Sequence, residues 1–439
     1  MIRLKMRKPL HNREHESPDL KRCWELLKLT SRSFAAVIEQ LHPELRNPIM
    51  LFYLILRGLD TIEDDMGLQN SVKLPILREF RNVLKSETWT FTQSSETEKD
   101  RVVLVEFDKI LREFHRIKPV YQDIIADITH KMGNGMADYI QLENQVNYDG
   151  VEKIKDYDLY CHYVAGIVGE GCTRMAIAAN FSTKVLEEDP ALFESMGLFL
   201  QKTNILRDYR EDQDDGRSFW PREVWSKYTP KLSNFIDPKY TDKGLECISE
   251  LTLLSLQHVP DVLKYLSNIT DPSYFAFCAI PQVMSIATLE LVFQNPKVFQ
   301  TNVKIRKGLA CELILQATTM HNVFTIFRKY IRLIHARNRP QDPNFFKIEM
   351  MCGEIEAYIN QHDAESREYK ARDAVQSPTE PSWFFQTILL GVAALSSVVV
   401  AAILMLVIAT KFGADYPAVS EITDELSRMA RFIMYGEQP

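Results

Sequence analysis

The sequence is short of the features that would make several common readings easy. Its seven cysteines, Cys23, Cys161, Cys172, Cys247, Cys278, Cys311 and Cys352, are odd in number and show no C-x-x-C spacing. Neither a zinc site nor a disulfide framework is expected, and a reducing compartment is the simplest setting. Basic residues do not outnumber acidic ones: 52 Lys and Arg face 59 Asp and Glu, a net charge of −7, which argues against a nucleic-acid binder. Alternating strand pattern is almost absent between residues 18 and 365, and the glycine clusters "GNG" at 133 and "GIVGEG" at 166 follow no strand. The phosphate-binding turn of a dinucleotide fold is thereby excluded. Residues 1–18 are basic but hold no apolar run, so they read as a solvated arm and not as a signal peptide. An anionic ligand must be met by local positive charge or by metal.

What is present is helical periodicity. Stretches such as "LKRCWELLKLTSRSFAAVIEQL", "YQDIIADITHKMGNGMADYIQL", "YDLYCHYVAGIVGEGCTRMAIAAN", "ALFESMGLFLQKTNILRDY" and "CELILQATTMHNVFTIFRKYIRLI" repeat apolar residues at helix spacing. Prolines 43, 48, 119, 272 and 281 fall at expected helix ends or kinks. The fold expected is all-α, one large helical bundle over residues 19–365.

Residues 384–410, "FFQTILLGVAALSSVVVAAILMLVIAT", carry no charge, and they exceed the roughly 20 residues that cross a bilayer. They read as a transmembrane helix behind a polar linker, 366–383, with a short tail at 411–439. Arg367, Lys370 and Arg372 stand before the span and only Lys411 close after it, which places the large N-terminal part in the cytoplasm. The triplets "NFS" at 180 and "NIT" at 268 then face no glycosylating lumen and read as chance.

The chemistry is in two acidic stretches. "DTIEDDM" directly follows the apolar "PIMLFYLILRGL", and "DYREDQDDGRSFW" follows "LFLQKTNILR". Both contain D-x-x-E-D: Asp60, Glu63 and Asp64, then Asp208, Glu211 and Asp212. On a helix these offsets share one face. Ionised carboxylates drawn out of apolar helices cost several kcal/mol each unless something positive meets them. Two such faces turned toward each other call for divalent cations, and all-oxygen ligands suit Mg2+, which shares its remaining positions with substrate phosphates. A diphosphate ligand follows. Arg57 and Arg207, each just before a triplet, and Arg217 after the second offer planar donors to its oxygens. Asn204 and Gln201 extend a polar stripe upstream.

"TSRSFAAVIEQL", "FYLILRGLDTIEDDM", "MGNGMADYI", "YCHYVAGIVGEG", "LQKTNILRDYREDQDDGRSFWP", "FCAIPQVMSIATL" and "VKIRKG" resemble, in order and spacing, the motifs of the eukaryotic squalene synthases within the squalene/phytoene synthase family. The match runs from Asp19 to Gly308, and the apolar run resembles that family's membrane anchor. The resemblance implies a class I isoprenoid synthase bundle that joins two farnesyl diphosphates into presqualene diphosphate and reduces it with NADPH to squalene. It assigns Mg2+ to the six carboxylates, and diphosphate to Arg32, Arg57, Lys99, Asn204, Arg207 and Arg217. It gives carbocation shielding to Tyr53, Tyr163 and Phe277, with Tyr163 also handling the proton lost on cyclopropane closure. Phe277, Pro281 and Gln282 are implied to line the pocket of the second half-reaction, and Arg32, Arg57, Arg207, Lys304 and Arg306 to hold NADPH. It further implies a monomer in the endoplasmic reticulum membrane with its catalytic domain facing the cytoplasm. Asp214 and Asp215 depart from the family pattern and add negative charge near Arg217. Two other readings stand beside this one: a phytoene-type synthase that skips the reduction, and an anchored structural protein without chemistry.

Overall fold

The computed structural model describes residues 16–143 and 150–376, and among them the fold is all-α. No β-strand is present among these residues, only an isolated bridge between Ser182 and Ile269. The chain divides into two units, Met1–Ser366 and Arg367–Pro439. The arm at 1–15, the apolar run 384–410 and the tail 411–439 lie outside the described residues. The final described helix, Phe345–Gln376, continues into the part read as linker, whose first residues are therefore helical.

Two of the long periodic stretches are broken where a side chain offers the backbone an alternative. Ser31 is extended (φ −152°, ψ 100°) and its hydroxyl accepts from the amide of Phe34, so Pro18–Thr30 and Arg32–Ile38 are separate helices. Thr319 does the same for Asn322 and separates Lys307–Gln316 from Met320–Arg337. Such hydroxyls favour the start of a helix over its middle. In a third stretch the helix is not ended but widened: a π turn, His162–Gly166, joins Ile154–Cys161 to Ile167–Ala178. Pro43, Pro119 and Pro272 open helices, where a missing amide hydrogen costs nothing, whereas Pro48 and Pro281 lie inside helices and each removes one backbone hydrogen bond.

The helix Pro190–Arg207 is the hub, packed against Pro272–Val292, Val259–Ser267, Thr241–Leu256 and the π turn. Leu192, Phe199 and Leu206 on it are fully or almost fully buried, and each such side chain contributes roughly 1.5–3 kcal/mol of transfer free energy. A buried polar thread fixes it further. Lys202, only 3% exposed, pairs with Asp158 at 2.7 Å and lies 2.9 Å from His258 Nε2. An ammonium can only donate, so Nε2 accepts and Nδ1 carries the proton toward Ser195 Oγ at 3.2 Å. Ser195 in turn donates to Asp261 at 3.0 Å. Burial, then Lys202, pushes the His258 pKa down to about 3, so this histidine stays neutral.

Among the described residues, Pro272–Val292 is the helix long and apolar enough to cross a membrane, and 67% of its apolar window is buried inside the fold. It is capped by Asp271, whose carboxylate accepts from the amides of Ser273 and Tyr274 at 2.9 and 2.8 Å. Its packing on the hub helix and on Met320–Arg337 makes it a core element.

Candidate active site

The first acidic triplet ends the helix Pro43–Asp64, whose upstream residues from Leu45 to Ile62 are mostly buried. Three acids in the last turn face the negative end of a helix dipole, which adds to the cost of their charge. Asp60 is pushed up to about 6 by burial, relieved by Arg57 and aggravated by Asp64 and Asp100. Asp64 is raised as well, with Arg217 pulling the other way. The next residue, Asp65, is outside the D-x-x-E-D pattern and has a different task. It is 1% exposed and accepts from the Ser95 amide at 2.7 Å, the Ser95 hydroxyl at 2.6 Å and the Gly67 amide at 2.9 Å. These hydrogen bonds outweigh its burial and hold its pKa below the usual carboxylate value.

The second triplet does not lie on one continuous helix as its spacing predicts. Pro190–Arg207 ends at Asp208 (φ −92°, ψ 9°), and Glu211 and Asp212 fall in the following helix, Tyr209–Asp214. Arg207 turns back onto Asp208 through two bonds of 2.8 and 2.5 Å and onto Asn204 at 3.0 Å. Asp212 is nearly buried, and its pKa rises to about 7 through desolvation, against Arg217 and with Asp208, Glu211 and Asp215.

The two triplets are brought together by Arg217. Its guanidinium lies 3.6 Å from Asp64 and 3.5 Å from Asp212. A glycine makes this possible. Gly216 has φ +71°, a conformation available to it without a Cβ penalty. With it the short helix closes in a Schellman turn, the Arg217 amide bonding the Asp212 carbonyl at 2.8 Å and the Gly216 amide the Gln213 carbonyl at 3.3 Å. Of the two departing aspartates only Asp215 reaches Arg217, at 3.2 Å. Asp214 is taken by Arg210.

A cavity of about 400 Å³ opens beside the triplets. Its walls are mostly apolar, with Phe34, Phe52, Val168 and Leu200 among them, and Arg57, Asp60 and Asn204 are part of its polar lining. Tyr53, Phe277, Pro281 and Gln282 also line it. Arg57 holds Tyr53 Oη at 3.2 Å, Asp60 at 3.4 Å and Asp100 at 3.8 Å, while its Nε is buried without a hydrogen-bond partner. Tyr163 is placed differently. It is not a lining residue, although Val164 and Ala165 beside it are. Its ring packs so closely on Gly135 that a Cβ there would sit 2.4 Å from Cγ. Tyr139 is 6.3 Å away, centroid to centroid.

Lys304 and Arg306 are exposed on the segment before Lys307–Gln316. Lys99 is exposed in the turn that delivers Asp100 to Arg57. Arg32 opens the helix Arg32–Ile38, and its side chain lies outside the described residues. Sequence reasoning missed Asp100, Phe34, which stacks on Tyr53 at 5.8 Å, and Phe219, which stacks on Tyr160 at 4.8 Å. Phe34 and Phe219 stood inside recognised motifs; Asp100 carried no local signal.

Among the described residues no three His, Cys, Asp or Glu side chains form a ready-made metal cage. The donor set nonetheless fits Mg2+, which takes one or two carboxylates and completes its octahedron with water and phosphate oxygens. Desolvated Asp60 and Asp212 are short of counter-charge, and the buried Nε atoms of Arg57 and Arg217 make no hydrogen bond; a metal-bound diphosphate would meet both needs.

A squalene/phytoene synthase family model matches residues 27–308, and the chain belongs to that family. Within it, the similarity is to squalene synthases. The squalene synthase of Yarrowia lipolytica is 57% identical over 354 residues, 80% of this chain and 79% of that one. Squalene synthase ERG9 of Saccharomyces cerevisiae is 54% identical over 345 residues, 79% of this chain and 78% of that one. The solved complex of TcSQS with the ligand E5700 matches at TM-score 0.75 and 39% identity, covering 79% of this chain and 99% of that one.

Proposed function

We propose that this protein is a squalene synthase, a transferase that couples two farnesyl diphosphates into presqualene diphosphate and then reduces that product with NADPH. The observation that carries the reading is the Arg217 bridge between Asp64 and Asp212 beside a largely apolar cavity that Arg57 and Asp60 also line. Charge for a diphosphate and shelter for a C15 tail are adjacent.

When bound, Mg2+ held among Asp60, Glu63, Asp64, Asp208, Glu211 and Asp212 would stabilise the departing diphosphate, and NADPH would supply the hydride of the second half-reaction. The chain's own residues do the rest. Arg57 and Arg217 present planar donors to diphosphate oxygens. Phe34, Phe52 and Phe277 exclude water from the farnesyl chain, and the stacked Tyr53 and Phe34 rings offer a π face to an allylic cation without a nucleophile. Tyr163 is positioned against Gly135 and one residue from the cavity wall, where its hydroxyl serves the proton lost as the cyclopropane closes. Arg32, Arg57, Arg207, Lys304 and Arg306 form the cofactor's anion contacts, and Arg32, Lys99, Asn204 and Arg207 complete the diphosphate set. The run 384–410 anchors the enzyme in the endoplasmic reticulum membrane with its catalytic part in the cytoplasm, as a monomer.

Purified protein given farnesyl diphosphate and Mg2+ is expected to form presqualene diphosphate without NADPH and squalene with it. A product unaffected by NADPH would mean a phytoene-type enzyme. Asp208→Asn, which keeps the side chain's size and removes its charge, is expected to abolish the first step.

A further inference from the structure

Asn302 lies between the turn Pro296–Phe299 and the helix Lys307–Gln316, in a segment with no acidic neighbour in sequence. Its side-chain Nδ2 donates to Asp208 Oδ1 at 3.2 Å and also to Glu211 Oε2. Its Oδ1 is buried and has no hydrogen-bond partner. The placement is built into the fold and is not an accident of a loose loop. Val303, directly after it, is buried, as is Phe299 three residues before it. The Phe299 ring meets the edge of Tyr209 at 5.5 Å, and Tyr209 stands between Asp208 and Glu211 in sequence while its hydroxyl holds the Leu232 carbonyl at 2.8 Å.

The chemistry of this donor is specific. Asp208 and Glu211, one helical turn apart, repel each other, and a lysine between them would neutralise the charge that a divalent cation needs. A carboxamide draws both carboxylates to one nitrogen without adding a charge of its own; it occupies one oxygen of each and leaves Glu211 Oε1 outside its grip, while both Asp208 oxygens also accept from Arg207. Two and four residues further along stand the exposed cations Lys304 and Arg306. One side chain therefore touches the acidic motif and opens the basic segment.

We propose that Asn302 is a positioning residue that holds Asp208 and Glu211 together for a divalent cation and ties the basic segment 303–306 to them, so that filling the acidic motif favours docking of an anionic cofactor's phosphates. The inference rests on the proposed function and goes beyond it by coupling its two half-sites. Coupling of this kind is reciprocal.

The test uses the full chain, thermal melting and NADPH fluorescence, with farnesyl thiodiphosphate as an unreactive substrate analogue. In the parent protein Mg2+ with the analogue is expected to raise the melting temperature, and NADPH is expected to bind more tightly in their presence. Asn302→Ala is expected to need roughly tenfold more Mg2+ for half of that stabilisation, the weight of one hydrogen bond to a charged group, and to lose the tightening of NADPH. Asn302→Ser, which keeps a shorter donor, is expected to fall between the two and serves if the alanine variant does not fold. An unchanged Mg2+ midpoint, or a retained tightening of NADPH, overturns the proposal. If the parent protein itself gains no stability from Mg2+ and the analogue, the proposed function fails first and the two failures are told apart.

Discussion

Arg217 stands 3.6 Å from Asp64, with Nη1 facing Oδ1, while its Nη2 faces Asp212 Oδ1 at 3.5 Å. One guanidinium therefore joins carboxylates from motifs far apart in the chain. Neither distance is a tight hydrogen bond, and its Nε is buried without a partner. The group is held between the motifs and keeps donor capacity for a diphosphate.

Arg217→Ala is expected to lower kcat for the coupling step by at least about a hundredfold, the scale seen when one preorganised charge-stabilising donor is removed. Arg217→Lys is expected to recover little, because a point ammonium cannot span Asp64 and Asp212 as a planar fork does. Steady-state kinetics of presqualene diphosphate formation check both. Near-normal rates for the lysine variant would show that charge alone suffices.

Gly135→Ala tests the seat of Tyr163. The new Cβ falls 2.4 Å from the ring, so the ring must move, at a stability cost of roughly 1–3 kcal/mol for overpacking. Coupling is expected to slow while the Mg2+ requirement, set by carboxylates elsewhere, stays unchanged. A raised Mg2+ requirement would count against a separate role for Tyr163.

Lys304→Ala combined with Arg306→Ala separates the half-reactions. Charge-assisted bonds to phosphate are worth roughly 1.5–3 kcal/mol each, so two lost bonds weaken NADPH binding by on the order of a hundredfold or more. Presqualene diphosphate is expected to accumulate from radiolabelled farnesyl diphosphate, with squalene returning at high NADPH. A parallel fall of both products would remove the segment from the cofactor site.

The π turn carries a pH-dependent clasp. His162 Nδ1 meets Glu194 at 2.9 Å, and this bond, against partial burial, raises the His162 pKa above its usual 6.5. The folded state therefore holds the proton more tightly than the unfolded one. Its stabilising effect is complete below pH 6.5 and is lost as pH rises through the folded value. With side chains 36% and 27% exposed, solvent screening keeps the contribution small. Glu194→Gln is expected to move the His162 titration, followed by NMR, to lower pH; an unmoved midpoint would show that the pair does not form in solution.

What could be read along the chain was local. Asp60, Glu63 and Asp64 announce themselves because helix spacing and an apolar run coincide, whereas the separate hydrogen-bonding task of Asp65 shows only in the fold. The break at Asp208 was hidden, since nothing in "ILRDYRED" marks the change of helix axis. The splits at Ser31 and Thr319 were hidden too, because a hydroxyl in an otherwise periodic stretch is compatible with either outcome. Asp100 on Arg57, Asn302 on Asp208 and Phe219 on Tyr160 depend on loops whose course only packing decides.

The π turn at His162–Gly166 has a meaning for how this chain can vary. A single extra residue within a turn shifts the phase of a helix by about 100°. Residues 154–161 and 167–178 thus present faces that no uninterrupted helix could present together. Deleting one position between 162 and 166 would restore regular winding and swing one half against the other, carrying Tyr163 away from Gly135. Substitutions here are matters of degree, but a change of length is a change of register, and the segment is predicted to tolerate none.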